Sequence, residues 1–279
     1  MVHQGVLWSV GAAVLWGIEP VLVDEAMDEF TSVSINAWRN LGALMFCLPA
    51  ALLLVPSFHL ELVPLAMIAA SGVLSQGLGM YFYSEAIHRA GPGKAIPIVQ
   101  TFIFWAQLLG FLLFDEVLTR ATLVGVFLAI SGVWLVTGGG GRDDPLGVAA
   151  ALLTSVLWAG GDALTRAALF DVSPIETSAW RSLMMFAMFY LLATRTSGLK
   201  ASRRCTWLAL VSGALGLGLA LFLYFVAMSK VGLSLAALPI SLSPIISQLT
   251  SWRAGREKLG PKMLLGGSLV ATGIALASL

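Results

Sequence analysis

The chain has 279 residues, 58% of them hydrophobic and only 11% charged, with a net charge of +1. Soluble globular domains carry about 25% charged residues, so a soluble fold of this length could not hide so much apolar surface. The balanced charge also gives no reason to expect an acidic or basic macromolecular partner, nucleic acid included.

A spanning helix needs about 20 mostly apolar residues, and in lipid each such run must be helical to satisfy its own backbone. The first apolar run is Gly5–Val23. Met1 to Gln4 lack Lys and Arg and no small-x-small cleavage site follows, so it is read as a span and not a signal peptide. After the acidic connection Asp24–Glu29 come Val33–Val55 and Val63–Ser84. Gly91-Pro92-Gly93 then leads to Lys94–Phe114 and Ala121–Gly138. The glycine-rich stretch Gly138–Pro145 precedes Leu146–Ala168 and Pro174–Thr194. The basic connection Arg195–Arg204 precedes Thr206–Met228, Leu233–Trp252 and Lys262–Ser278. The expected architecture is all-α and integral to the membrane, with ten transmembrane helices and no segment long enough for a separate soluble domain. Glycines 72, 77 and 79 in the third span, and 213, 216 and 218 in the eighth, fit close helix packing or a backbone opened for substrate. Cys47 and Cys205 form no disulfide framework or metal spacing.

The two halves match each other. A shift of 142 residues lays Val14-Leu15-Trp16 on Val156-Leu157-Trp158 and Ala37-Trp38-Arg39 on Ala179-Trp180-Arg181. A shift of 141 pairs Tyr83 with Tyr224, Ala86 with Ala227 and Gly91 with Gly232. The register ends with Glu116 on Glu257, Gly125 on Gly266 and Gly132 on Gly273. One offset along the whole chain marks a duplication: a first five-helix repeat over 1–142 and a second over 143–279. Five is odd, so the second copy enters from the opposite side and the copies are inverted. Inverted repeats characterise secondary transporters, whose substrate site lies near the midplane where the repeats meet.

Each copy ends in an apolar helix followed by Glu, by Gly nine residues later and by Gly seven beyond that: Glu116, Gly125, Gly132 and Glu257, Gly266, Gly273. A proline, Pro97 or Pro239, lies in the preceding helix, and each copy carries a Val-Leu-Trp and a Trp-Arg. Over essentially the whole chain this pattern resembles the EamA family of the drug/metabolite transporter superfamily. The resemblance implies a ten-helix carrier of metabolites, often an exporter of amino acids or related compounds. It leaves the cargo open.

An ionisable residue inside a span is costly and is a functional candidate by default. Glu19 and Asp162 are the two best cases, three and four residues after Trp16 and Trp158, each about one turn from its tryptophan. They are candidates for proton or substrate binding, flanked by Trp16 and Trp158, with Gln100 as a neutral hydrogen-bonding partner for cargo. Solvation near the ends of spans one and six is the plainer reading of both acids. Arg39 and Arg181 either snorkel to the interface beside their tryptophans or contact an anion with the planar guanidinium. Glu116 and Glu257, beside Arg120 and Lys258, fit a helix end or a gate. Gln76, Glu85, Gln107 and Gln248 are further polar points, and Tyr81, Tyr83, Trp105 and Tyr224 could line a cavity or simply pack.

No Walker-type loop, metal-ligand spacing or hydrolase motif occurs, so no cofactor, no metal and no enzymatic activity are expected. The expectation is a secondary transporter in the cell (inner) membrane, working by alternating access on a small-molecule substrate and exporting a metabolite such as an amino acid. Besides the lipid bilayer, its partners include protons if transport is coupled. The alternatives are a facilitative channel or a lipid-translocating protein, and after these an intramembrane enzyme. The oligomeric state stays open and is compatible with a monomer. The Lys and Arg bias of the short loops puts both termini outside, whereas the resemblance implies both inside.

Overall fold

The computed structural model describes residues 2–58, 61–137, 144–196, 198–253 and 261–277, and every regular element among them is helical. In chain order the helices are α1 (His3–Val23), α2 (Ser32–Leu54), α3 (Leu62–Ala90), α4 (Lys94–Phe114) and α5 (Arg120–Thr137). They continue with α6 (Pro145–Ala168), α7 (Pro174–Thr196), α8 (Arg203–Thr250) and α9 (Pro261–Ala277). Six of them, α1 to α4, α6 and α8, are long and apolar enough to cross a membrane, and α5 and α9 are shorter apolar helices. α7, at 23 residues, is longer than α1 and α4 but less apolar, and it carries Glu176, Arg181 and Arg195 among several hydroxyl residues. The protein is a multi-pass integral membrane protein. Its outward faces are apolar, as lipid contact requires: Leu53 is 85% exposed, and Leu62, Phe127 and Leu264 also point away from the bundle.

The 48-residue run of α8 covers two of the expected spans. Gly232 divides it, with φ 82° and ψ 176° where a side chain would be strained. Gly91, 141 residues earlier, takes almost the same conformation, φ 81° and ψ 154°, between α3 and α4. Other helix starts follow local chemistry. Thr31 and Ser34 form a reciprocal capping box at α2. Asp144 accepts the Leu146 and Gly147 N–H groups at α6, with Pro145 in the first turn. α1 turns at Glu19, where Pro20 supplies no N–H to the ladder.

Two helices depart from α geometry at matching places. Residues Val73–Gly79 of α3 and Gly213–Ala220 of α8 are wound in wide, π-type turns. Such turns are rare and concentrate at functional sites, because they leave backbone groups outside the regular ladder.

The packing repeats the sequence offset. α2 packs on α7 and α5 on α9, each helix against its own offset mate. α1 packs on both arms of α8, and correspondingly α6 packs on α3 and α4. The glycines of the terminal motif sit in the α5–α9 contact. A Cβ at Gly125 would lie 2.5 Å from the Gly273 carbonyl oxygen, and one at Gly132 would lie 2.5 Å from that of Gly266. Only glycine permits backbones this close, which is how small residues join helices in a bilayer.

Candidate functional site

The polar residues of the interior gather where α1 and α6 meet the wide turns of α8 and α3. In the first half, Glu19 lies at the turn in α1 and is 7% exposed, and Arg39 of α2 is 8% exposed. The Arg39 Nη2 donates to Glu19 Oε1 at 2.5 Å, and its Nη1 to Asn36 Oδ1 at 3.2 Å. Gly216 makes room for the pair, since a Cβ there would lie 2.8 Å from the Glu19 carboxyl carbon. The Gly216 carbonyl, in the wide turn, accepts the Trp16 indole N–H at 2.9 Å. Gly213, three residues earlier, lets α8 lie against the Arg39 backbone of α2. Glu19 is thus spoken for by its own chain, and the anion that Arg39 contacts is Glu19.

The second half is arranged differently. Asp162 of α6 is half-buried, and its Oδ2 accepts the Tyr224 hydroxyl at 2.8 Å. Among the described residues Asp162 has no further hydrogen bond or ion pair. Arg181 of α7 is 3% exposed and faces hydroxyls instead of a carboxylate. Its Nη1 reaches Thr165 Oγ1 at 3.4 Å and Ser71 Oγ at 3.5 Å, long for charge-assisted bonds. Its Cζ stands 5.7 Å from the centre of the Phe225 ring. Neither arginine snorkels outward: both guanidinium groups lie inside the bundle.

Two aromatic pairs frame this interior, and each joins one half to the other. Trp16 meets Tyr224 edge-on with centroids 5.5 Å apart, and Trp158 meets Tyr83 at 5.4 Å. These are offset mates, Trp16 with Trp158 and Tyr224 with Tyr83. Tyr224 therefore touches Trp16 with its ring and Asp162 with its hydroxyl, so Asp162 shares a partner with the tryptophan of the opposite half. Trp158 packs also on Phe102. An acid with one oxygen occupied by the hydroxyl of an aromatic pair can accept a proton or an ammonium group on the other.

The remaining candidates scatter. Gln100 is buried at a bend in α4 after Pro97, with its Oε1 unpartnered. Gln107 donates to the Ser234 carbonyl at 2.6 Å and so ties α4 to α8. Glu116 closes one end of the bundle: its two carboxylate oxygens accept the Leu233 and Ser234 N–H groups at 2.6 and 2.7 Å, immediately after Gly232. The Arg166 Nε lies 3.8 Å from the same carboxylate, and the guanidinium stacks on Phe170 at 4.3 Å. Glu116 thereby caps a helix that restarts 117 residues away, a partner no local pattern announces. Glu257 lies outside the described residues. Sequence reasoning passed over Ser71 and Thr165, which only the folded packing of α3 and α6 brings to Arg181, and Ser75, which lies against Gly161. Among the described residues no three metal-ligating side chains converge.

The sequence profile of the EamA-like transporter family matches residues 3–138 and again residues 145–279. A protein of Archaeoglobus fulgidus described as an uncharacterized transporter is 23% identical over 97% of this chain and 96% of its own length. A crystal structure superposes with a TM-score of 0.84 over 99% of this chain and 96% of that one, at 21% identity, a likeness in fold alone.

Proposed function

Because the chain belongs to the EamA-like transporter family, we propose that it is a secondary carrier exporting a small polar metabolite, such as an amino acid or related compound, by alternating access. Its ten spans form two inverted five-helix repeats, 1–142 and 143–279, and the working state is a multi-pass protein of the cell (inner) membrane. The reading rests above all on Asp162: a carboxylate inside the bundle, held by one hydroxyl, where Trp16 and Tyr224 bring the two halves together. Asp162 takes the proton or the cargo's ammonium group, and the Trp16–Tyr224 and Trp158–Tyr83 pairs wall the cargo on either side. The wide turns in α3 and α8 are the flexible elements, because their backbone can return to a regular ladder as one half rocks against the other. The Glu19–Arg39 pair holds α1 to α2 throughout and takes no part in binding.

The test is uptake into proteoliposomes across a panel of labelled metabolites, with and without an imposed pH gradient. A carrier gives saturable, counterflow-competent uptake of at least one member. Unitary currents or a complete lack of counterflow contradict the carrier reading, and rates indifferent to the gradient remove the proton coupling while leaving the carrier.

A further inference from the structure

The offset between the halves shows that Arg181 has hydroxyls where its mate Arg39 has a carboxylate. In the first half three positions build the ion pair: Glu19 supplies the carboxylate, Arg39 the guanidinium, and Gly216 the space against which the carboxylate lies. The offset mates of these residues are Gly161, Arg181 and Ser75. The arginine is kept and the carboxylate is gone. Ser75 stands in its room, since a Cβ on Gly161 would fall on the Ser75 hydroxyl. Asp162 does not fill the gap. It is one residue further on, about 100° around the helix, and its carboxylate takes the Tyr224 hydroxyl.

The groups left behind have unmet hydrogen-bonding capacity. Arg181 Nε and Ser75 Oγ are both buried without a partner. The two hydroxyls that Arg181 does reach give their protons to backbone carbonyls, Ser71 to Ile68 at 2.8 Å and Thr165 to Gly161 at 3.0 Å. Arginine stays protonated in proteins, and the carboxylate that acts on Arg181, that of Asp162, does so from beyond ion-pair distance while bound to the Tyr224 hydroxyl. Buried donors of this kind call for a partner that the chain itself does not supply.

We propose that a small monovalent anion binds to Arg181 at the Ser75 hydroxyl, taking toward Arg181 the part that the Glu19 carboxylate takes toward Arg39. The shared chemistry is a single negative charge of compact size, from a solution halide or from a carboxylate carried by the cargo. Binding requires no transport, so the site is testable even if the carrier reading fails.

The experiment is the melting temperature of the purified full-length protein in detergent. Sodium and ionic strength are fixed, and methanesulfonate is replaced stepwise by chloride in one series and by formate in another. A saturable upward shift is expected in at least one. A shift with chloride alone assigns a halide site, one with formate alone assigns the cargo carboxylate, and no shift in either overturns the proposal. Two variants locate the site. Arg181→Gln loses the shift. The double variant Gly161→Glu/Ser75→Gly recreates the first-half arrangement and supplies the carboxylate internally, so it melts no lower than the anion-saturated wild type and no longer responds. A double variant that responds to the anion as the wild type does also overturns the proposal.

Discussion

The two arginines, Arg39 and Arg181, stand at the same register of the two halves and live in opposite circumstances. Arg39 has a carboxylate at 2.5 Å, whereas Arg181 has only two hydroxyls at 3.4 and 3.5 Å, and the Nε of each is without a partner. The cause is a one-residue displacement of the acid, Glu19 in one helix and Asp162 where the mate would be Gly161. On a helix one residue is about 100°, enough to carry a carboxylate from the arginine of its own half to the tyrosine of the shared core. The scaffold thus holds one acid in a clasp and leaves the other with a single hydroxyl partner, and the proposed site follows from this difference between the halves.

The comparison breaks first at the clasp. Glu19→Gln leaves the Arg39 guanidinium buried without its counter-charge, and a loss of about 3–5 kcal/mol is expected, measured by unfolding in detergent. Asp162→Asn keeps an acceptor for Tyr224 and is expected to cost about 1 kcal/mol in the same assay. Equal losses would erase the distinction between the two acids.

Gly216→Ala sharpens it. The new methyl meets the Glu19 carboxyl carbon at 2.8 Å, and overpacking of this kind costs about 1–3 kcal/mol. The cost should vanish in a Glu19→Ala/Arg39→Ala background, where the atoms that the methyl meets are gone, a coupling that a double-mutant cycle reads directly.

A smaller effect is expected at Tyr224→Phe. It removes the one hydrogen bond to Asp162, for about 0.5–1.5 kcal/mol of stability, while the ring stays against Trp16. Transport should suffer more than stability.

The smallest effect lies outside the bilayer, where the loop after α1 meets the loop before α8. The Ser202 backbone N–H, 2.5 Å from Glu29, together with the Ser202 hydroxyl, holds the Glu29 carboxyl below its usual range, and the Cys205 thiol adds to this. A depressed carboxylate gives stability that is present above the ordinary Glu value of about 4.3 and is lost as the pH falls through the lowered one. The protection factor of the Ser202 amide, exchange measured relative to the intrinsic rate at each pH, should therefore be high at neutral pH and fall in acid, and Glu29→Gln should remove that pH dependence.

Much of this was legible in the chain. Paired Trp16 and Trp158, paired Arg39 and Arg181, and clustered glycines in spans three and eight are all visible at one offset, and they mark the interior that the fold assembles. What was not legible is who touches whom. Glu19 and Arg39 are 20 residues apart across a connection, Asp162 and Tyr224 are 62 apart, and Glu116 and Leu233 are 117 apart. Hydrophobic periodicity fixes which residues lie in helices but not how those helices are rotated against each other. The sequence pattern therefore treats Glu19 and Asp162 as near-equivalents, and the one-residue slip reads as a blemish in the repeat. In three dimensions that slip separates the clasp from the proposed site. The division of α8 at Gly232 was foreshadowed by its mate Gly91, but its cap by Glu116 required the fold.

The most direct test of the central claim compares two folded variants in one transport assay. The double substitution Glu19→Gln/Arg39→Gln removes both charges of the clasp and leaves neither unpaired, and Asp162→Asn neutralises the released acid. Uptake of a transported metabolite into proteoliposomes, with and without a pH gradient, is expected to persist in the first variant and to be lost in the second. Transport that survives Asp162→Asn, or that disappears with the neutralised clasp in a protein of unchanged stability, would contradict the assignment of the working site to the second half.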